Sequence, residues 1–470
     1  MYHGKKRTLL VSLLVLSLIL ASCSTDPASG GDSGEADSSG DGVKADGDTV
    51  TLEVWTIGKP QEEHRLENIK EAAKQLNEQL EAEGEATRIV IEGKHEDVDW
   101  NDYKQQFTLA VESNKAPDII LSGHEDVAPW SQAGYIVPLD EYVEEHEQFD
   151  DVYDVLWESV QYKGNTWAIP QDVEARPIYY QKEYLKELGW SDEEIDALPE
   201  KIESGDFTLY DLLETANKAQ EQGIVKEGHG FFHRPQQGND FYMFYYAFGG
   251  EMFDDTEGKL VLDREALLKF YQFFHDTVFE YETTPEDFIG MEWDIWHKTV
   301  TSKEAFISQA GTWTVAEWKE QYNLSEEDWE NMGYALVPAG EKGGTPVTLS
   351  HPLVYMITSE SEHPDWAARV LAMATTPELN TKHAVESNHL AILETQEEDP
   401  DYANDPFLSD VTYMLQYTTY LPNHEQFGTY DEAVFRGLTA VEAGQMVPQE
   451  AVDIVVEELE RQLGDEVIIR

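Results

Sequence analysis

Apolar and polar positions alternate at two different periods along this chain. Residues 50–54 (Val-Thr-Leu-Glu-Val) alternate as a half-buried strand does, and residues 55–60 break the pattern. Leu66, Ile69, Ala73, Leu76 and Leu80 then recur at helical spacing until Gly84. A strand over 88–92 follows, then a helix carrying Tyr103, Phe107, Ala110 and Val111, then the apolar strand 117–121. Such β/α alternation predicts a parallel sheet covered by helices. The pattern resumes with a strand at 178–180 and a capping box, Thr208-Leu209-Tyr210-Asp211, opening a helix that stops at Gly223. Asp263 is placed to cap a helix whose Leu267, Phe270, Tyr271 and Phe274 share one face. Strands at 334–337 and 353–357 flank a Gly-rich turn at 340–344. From about Pro406 the chain reads as helical throughout, with Pro448 in the first turn of a final amphipathic helix. No internal repeat of fixed period is present.

The first residues follow another logic. Lys5, Lys6 and Arg7 precede an apolar run over 9–20, shorter than the roughly 20 residues that span a bilayer. This is the layout of a secretory signal peptide, expected over residues 1–22. Cys23 is the single cysteine of the chain, so no internal disulfide can form. Residues 24–48 are almost entirely Ser, Gly, Asp and Ala, a composition that predicts a flexible tether. The ending Leu20-Ala21-Ser22-Cys23 resembles a bacterial lipobox, which implies cleavage before Cys23 and lipid on the new N-terminal cysteine. The mature protein is then expected outside the cytoplasm, anchored to the cell membrane through Cys23 alone.

With 470 residues the chain is too long for one ordinary core and predicts two domains. Asp and Glu number 94 against 32 Lys and Arg, a formal charge of −62 spread along the whole chain. A carboxylate-rich surface of this kind suits a saline or alkaline habitat and opposes aggregation. It excludes nucleic-acid binding, which requires concentrated positive charge.

Reactive motifs are scarce. Among so many acids, two carboxylates at a suggestive spacing carry no weight for glycosidase chemistry. His229 and His233 stand four apart, but Gly228, Gly230 and Pro235 oppose a helix there, and neither a His-Glu-x-x-His run nor a cysteine cluster exists. No metal and no cofactor is expected. Nor is there a phosphate loop, a Gly-x-Gly-x-x-Gly or a Gly-x-Ser-x-Gly, so the chain looks chemically silent. It does carry tryptophans at predicted loop positions: Trp55, Trp130, Trp167 and Trp313. Core packing accounts for any one of them. As a set they suit sugar rings, whose C–H faces stack on indole while their hydroxyls need polar partners. Such partners lie nearby in sequence: Asp118, His124 and Glu125, Glu174, Asn239 and Asp240.

Several segments in order resemble extracellular solute-binding proteins of family 1, the sugar-binding lipoproteins and periplasmic proteins of ABC importers. They are Glu53-Val54-Trp55, Ala116-Pro117-Asp118-Ile119-Ile120, Gly134-Tyr135-Ile136-Val137-Pro138-Leu139-Asp140, and Tyr162-Lys163-Gly164 through Ile169-Pro170. Tyr179-Tyr180-Gln181-Lys182, Gly249-Gly250-Glu251, Gly311-Thr312-Trp313 and His363-Pro364 continue the series, so that the likeness covers residues 50–465. The resemblance implies a two-lobed α/β fold of the periplasmic-binding-protein type, with hinge strands and a ligand cleft between lobes. Lobe 1 is expected over 49–173 with 338–400, and lobe 2 over 174–337 with 401–470. By position, the resemblance implies that Trp55, Asp118, His124 and Glu125 line the lobe 1 side. It places Glu174 near the first crossover, Asp240 on lobe 2, His351 where the chain returns to lobe 1, Trp313 against a sugar ring and Tyr430 as a second aromatic wall. The family commonly has a Gly and a Pro where this chain has Asn388-His389-Leu390-Ala391.

The function implied is capture of a carbohydrate, an oligosaccharide, and delivery to the permease subunits of an ABC transporter by a monomer. Two readings stay open beside it: the same architecture binding a cationic or polyol solute, and a surface-anchored carbohydrate-active enzyme. An adhesin or sensor without an importer is a third.

Overall fold

The computed structural model describes residues 48–254 and 256–470. Cys23, the signal peptide and almost all of the tether lie outside the described residues. Among the described residues no helix is long and apolar enough to cross a membrane.

The strands that organise the fold are β1 (Thr49–Ile57), β2 (Arg88–Glu96), β3 (Ile119–Gly123), β4 (Ile169–Asp172), β5 (Ile178–Gln181), β6 (Phe231–Phe232), β7 (Ile307–Gln309), β8 (Met332–Ala335) and β9 (Leu353–Ile357). One sheet runs β2-β1-β3-β9-β4, the other β8-β5-β7-β6. In the first, β1 pairs parallel with β2 and β3, as the β/α alternation predicts. β9 then returns antiparallel to both β3 and β4, so the sheet is mixed. Every residue of β9 is buried, and a fully buried strand reads the same in either direction.

Each sheet has its own core. The smaller is built from β1, β3 and β9 with the apolar face of helix His64–Glu83, where Leu66, Ile69, Ala73, Leu76 and Leu80 are all buried. The larger gathers aromatic residues, among them Phe231, Phe244, Phe270, Phe273 and Phe274, around helices Leu209–Glu221 and Arg264–Phe279. The expected caps are present: Thr208 forms a capping box with Asp211, and Asp263 accepts from the Ala266 N–H. Ala384 and residues 390–393 belong to the larger core, on the far side of the boundary expected at 400.

The end of the chain departs from a continuous helical stretch. Thr418 and Thr419 are extended and pair with Thr348 and Leu349, and Val467–Ile469 adds a strand parallel to Lys259–Leu262. Tyr430, expected in a cleft wall, is 1% exposed inside helix Phe427–Glu442, and its hydroxyl donates to the Val261 carbonyl at 2.9 Å. It is a core residue. Tyr430→Phe, which removes only that hydrogen bond, should lower the free energy of urea unfolding by about 1 kcal/mol with an unchanged slope.

Candidate functional site

Between β4 and β5 the chain passes from one sheet to the other through residues 173–177, all of them buried. A buried, extended segment must satisfy its backbone elsewhere. Here Val173 bonds to Leu390, the Glu174 carbonyl accepts from Ser350 Oγ, the Arg176 N–H donates to Thr348 Oγ1, and the Ala175 carbonyl accepts from the Thr312 N–H. Three distant parts of the sequence, around 312, 348–350 and 390, are thereby drawn to one place.

Arg176 is the centre of that place. Its Nη2 donates to Glu174 Oε1 at 2.7 Å and its Nη1 to Asp240 Oδ1. Asp240 also accepts from Arg234 Nη1 at 3.1 Å, and Glu174 Oε1 accepts from the His351 backbone N–H at 2.9 Å. Burial raises the Glu174 carboxyl and Arg176 only partly offsets it, so its pKa stands above the ordinary value. Burial raises Asp240 as well, but the two guanidiniums outweigh it and the net shift is downward.

At the carboxyl end of β3 lie His124 and Glu125. Glu125 accepts from His351 Nε2 at 2.5 Å and from Lys104 Nζ at 2.7 Å. Burial raises this carboxyl, yet His351 and Lys104 together hold it well below its usual range. His124 is fully buried, which holds its imidazole at about 3 and therefore neutral at physiological pH. Its ring meets that of His351 edge-on at 5.1 Å and that of Tyr420 at 6.0 Å, and the Tyr420 hydroxyl has no hydrogen-bond partner among the described residues. Gly123 makes the arrangement possible, since a Cβ there would fall 2.2 Å from Glu125 Oε2 and 2.7 Å from His351 Cε1.

Trp313 joins this network to a second one. Its indole lies nearly parallel to the His389 imidazole at 6.2 Å, with the Arg176 guanidinium 5.2 Å from its ring centre. It packs so tightly over Gly311 that a Cβ at that position would lie 1.7 Å from the ring. Beyond His389, the buried Asp172 accepts from Arg65 Nε and Nη2 at 3.0 and 2.8 Å and from His383 Nε2 at 3.1 Å. Burial, offset by Asp172, holds His389 at about 4.

The structure thus brings together His124, Glu125, Glu174, Asp240, Trp313 and His351. Three expected residues lie elsewhere. Trp55 belongs to β1, not to the loop after it, and its Nε1–H donates to Glu53 while Lys94 Nζ sits 3.5 Å from the ring centre. Asp118 precedes β3, at the opposite end of that strand from His124. Its carboxylate accepts from the Glu53 N–H and Ser361 Oγ, which makes it a clip between backbone segments. Tyr430 is in the larger core, as described. Of the other tryptophans, Trp130 packs on Phe107 at 4.4 Å and Trp167 donates to the Tyr162 carbonyl. His229 and His233 do not form a pair: His233 is buried 3.1 Å from Glu442, while His229 bonds locally to Glu227. A surface depression of about 500 Å³ beside Asp294, Lys298 and Tyr322 shares no residue with the network.

Sequence reasoning missed Arg65, Arg176, His389 and Tyr420. For the arginines a signal existed. In a chain this short of cations, Arg176 between Ala175 and Pro177, inside a run of apolar and β-forming residues, marks a buried ion pair.

Comparison with known proteins identifies the family and the fold. Residues 67–381 match the family described as bacterial extracellular solute-binding protein. A curated relative, the maltotriose-binding protein of Pyrococcus abyssi, is 20% identical over 331 residues, which is 70% of this chain and 66% of the relative's length. The GacH receptor of Streptomyces glaucescens, solved unliganded and with acarbose, superposes with a TM-score of 0.72 at 18% identity, covering 88% of this chain and 98% of the receptor. Maltose-bound MalE3 of T. maritima gives 0.70 at 18% identity over 88% and 100%. At these identities the structures establish the two-lobed fold, and the match over residues 67–381 establishes that this chain belongs to the bacterial extracellular solute-binding proteins.

Proposed function

We propose that this protein captures a carbohydrate, an oligosaccharide, between its two lobes and delivers it to the permease of an ABC importer. The observation that carries the proposal is Trp313, an indole only partly buried, set against a network of hydrogen-bonding groups from both sheets. An indole face with carboxylates and imidazoles around it suits a ring that is apolar on its C–H face and polar at its rim. Glu174 and Asp240 are the groups we assign to the sugar hydroxyls. The names of the relatives, which bind maltotriose, acarbose and maltose, support the same ligand class. Function is binding without turnover. A micromolar affinity needs only about −8 kcal/mol, within reach of one stacked indole and a set of hydrogen bonds.

We further propose that the moving bodies are 49–173 with 338–387 and 174–337 with 388–470, the boundary falling after helix Pro377–Ser387 and before residues 390–393, which pack in the larger core. Closure presses helix Thr314–Gln321 of one body onto residues 59–62 of the other, where Gln321 Nε2 donates to Gln61 Oε1 at 3.1 Å. Glu317 lies on that helix, 8% exposed, and burial pushes its carboxyl up to about 7, with Lys59 lowering it and Glu62 and Asp97 raising it. The protein stands off the membrane on a lipid carried by Cys23, in the extracytoplasmic space.

Isothermal titration of a sugar panel tests the ligand. Trp313→Ala should weaken oligosaccharide binding at least about tenfold, or 1.4 kcal/mol, with little change in the unfolding midpoint of the unliganded protein. Hydrolysis of a labelled oligosaccharide, or collapse of unliganded Trp313→Ala protein, would refute the reading. Glu317 makes a second prediction. Its folded pKa exceeds the unfolded value of 4.5, so its neutral form favours folding; that contribution is complete below pH 4.5 and is lost as pH rises through 7. Glu317→Gln should therefore remove a fall in stability between pH 4.5 and 7, a difference of up to about 3 kcal/mol by urea unfolding at the two ends. For the anchor, the wild-type protein, extracted with detergent, should carry acyl mass on Cys23, and Cys23→Ala protein should carry none.

A further inference from the structure

His124, Glu125 and His351 each bring one possible ligating atom within 4.8 Å of the others, and Glu125 Oε2 stands 4.0 Å from His124 Nδ1 and 2.5 Å from His351 Nε2. Two imidazoles and a carboxylate form a ligand set typical of zinc, with a fourth position left for water or another ligand. We propose that these three residues form a binding site for a divalent transition-metal ion, zinc by ligand type, at the carboxyl end of β3. The proposal goes beyond the carbohydrate reading and does not depend on it.

The strongest support is the tautomer of His124. Its Nε2 lies 3.3 Å from the Leu421 carbonyl oxygen, which can only accept, so the ring proton sits on Nε2. Nδ1 therefore presents a lone pair. That atom is fully buried, faces Glu125 Oε2 at 4.0 Å, and has no hydrogen-bond partner among the described residues. An orphaned buried acceptor is costly in a finished core, and a metal ion would satisfy it. A carbonyl that orients the far nitrogen is also the usual support of a metal-bound imidazole.

Geometry and charge agree. Tetrahedral bonds of about 2.0–2.2 Å separate ligand atoms by roughly 3.4 Å. The Glu125 and His351 atoms stand at 2.5 Å and the Glu125 and His124 atoms at 4.0 Å, so a small rotation of Glu125 evens the distances. The proton shared by His351 and Glu125 is displaced when the ion binds. Lys104 occupies the other oxygen, Glu125 Oε1, and also pairs with Asp126. Glu125, Asp126 and Glu174 against Lys104 and Arg176 leave a net negative charge to meet a cation. In the other triad of this kind among the described residues, Asp172 with His383 and His389, the position is already taken by a cation, because Arg65 donates twice to Asp172 Oδ2 and sits 3.4 Å from His389 Nε2.

The test is titration of chelator-stripped protein with zinc chloride, without sugar and in excess magnesium to occupy surface carboxylates. One tight equivalent is expected, weakened at least about tenfold in His124→Ala, His351→Ala and Glu125→Gln, and retained in His229→Ala. No tight binding, or binding unchanged in the three variants, overturns the site. Should a variant fail to fold, cobalt titrated into the wild-type protein decides instead. Strong visible absorption of a four-coordinate ion supports the site, and the weak bands of a six-coordinate ion overturn it. Oligosaccharide titration of the stripped protein is read separately, so failure of one proposal leaves the other standing.

Discussion

Burial of carboxylates is the constraint around which this molecule is arranged. A chain with 94 acidic and 32 basic residues cannot pair every acid, and most of its charge must stay in water. Yet Glu62, Asp172, Glu174 and Asp240 are each less than 10% exposed. They are tolerated because two buried arginines, Arg65 and Arg176, each bind two of them. Such pairs add little net stability compared with apolar residues of the same size, but a partner removed alone leaves a buried charge that costs about 3–5 kcal/mol. The arginines are therefore conditions for the carboxylates to be there at all.

That condition explains why the site sits where it does. The passage from β4 to β5 is a stretch where backbone, arginine and carboxylates from both cores are satisfied together. Segments 310–312, 348–351 and 390 all bond to it. His124 and Glu125 reach it from the carboxyl end of β3, the side of an open α/β sheet on which ligands are held. Gly123 and Gly311 let side chains fold back against bare backbone on the two sides of the crossing, Glu125 with His351 over one and Trp313 over the other. Polar groups fixed by so many neighbours are already oriented, which reduces what a ligand must immobilise.

Much of the fold was legible because its signals are local. The face Leu66, Ile69, Ala73, Leu76, Leu80 and the caps at Thr208 and Asp263 depend on neighbours within a few residues. The antiparallel return of β9 was not legible, since a buried strand carries no mark of its direction. The site divides the same way. His124, Glu125 and Glu174 could be placed because they follow strands directly. Asp118 misled because it precedes its strand, and an acid there satisfies backbone N–H groups. Tyr430 misled because an aromatic residue on an amphipathic helix reads alike whether it faces a core or a cleft, and only its bond to Val261 separates the two. Arg176 and His389 meet Trp313 from opposite ends of the chain, a convergence that no local pattern encodes.

The same charge balance bears on what the cleft can admit. A body carrying −62 repels anions at long range, although at physiological salt the repulsion fades beyond about 8 Å. Close to the cleft the local groups decide. Glu174 and Asp240 already have guanidinium partners, so an anionic ligand would have to displace a carboxylate from Arg176 and leave it buried without a counter-charge. A neutral polyhydroxylated ligand asks for no such exchange. On the proposed reading its hydroxyls donate to Glu174 Oε2, the oxygen that Arg176 leaves free, and its C–H faces lie on Trp313, with every buried charge still paired. The arrangement that lets acids enter the interior thus favours a ligand that brings hydrogen-bond donors and no negative charge.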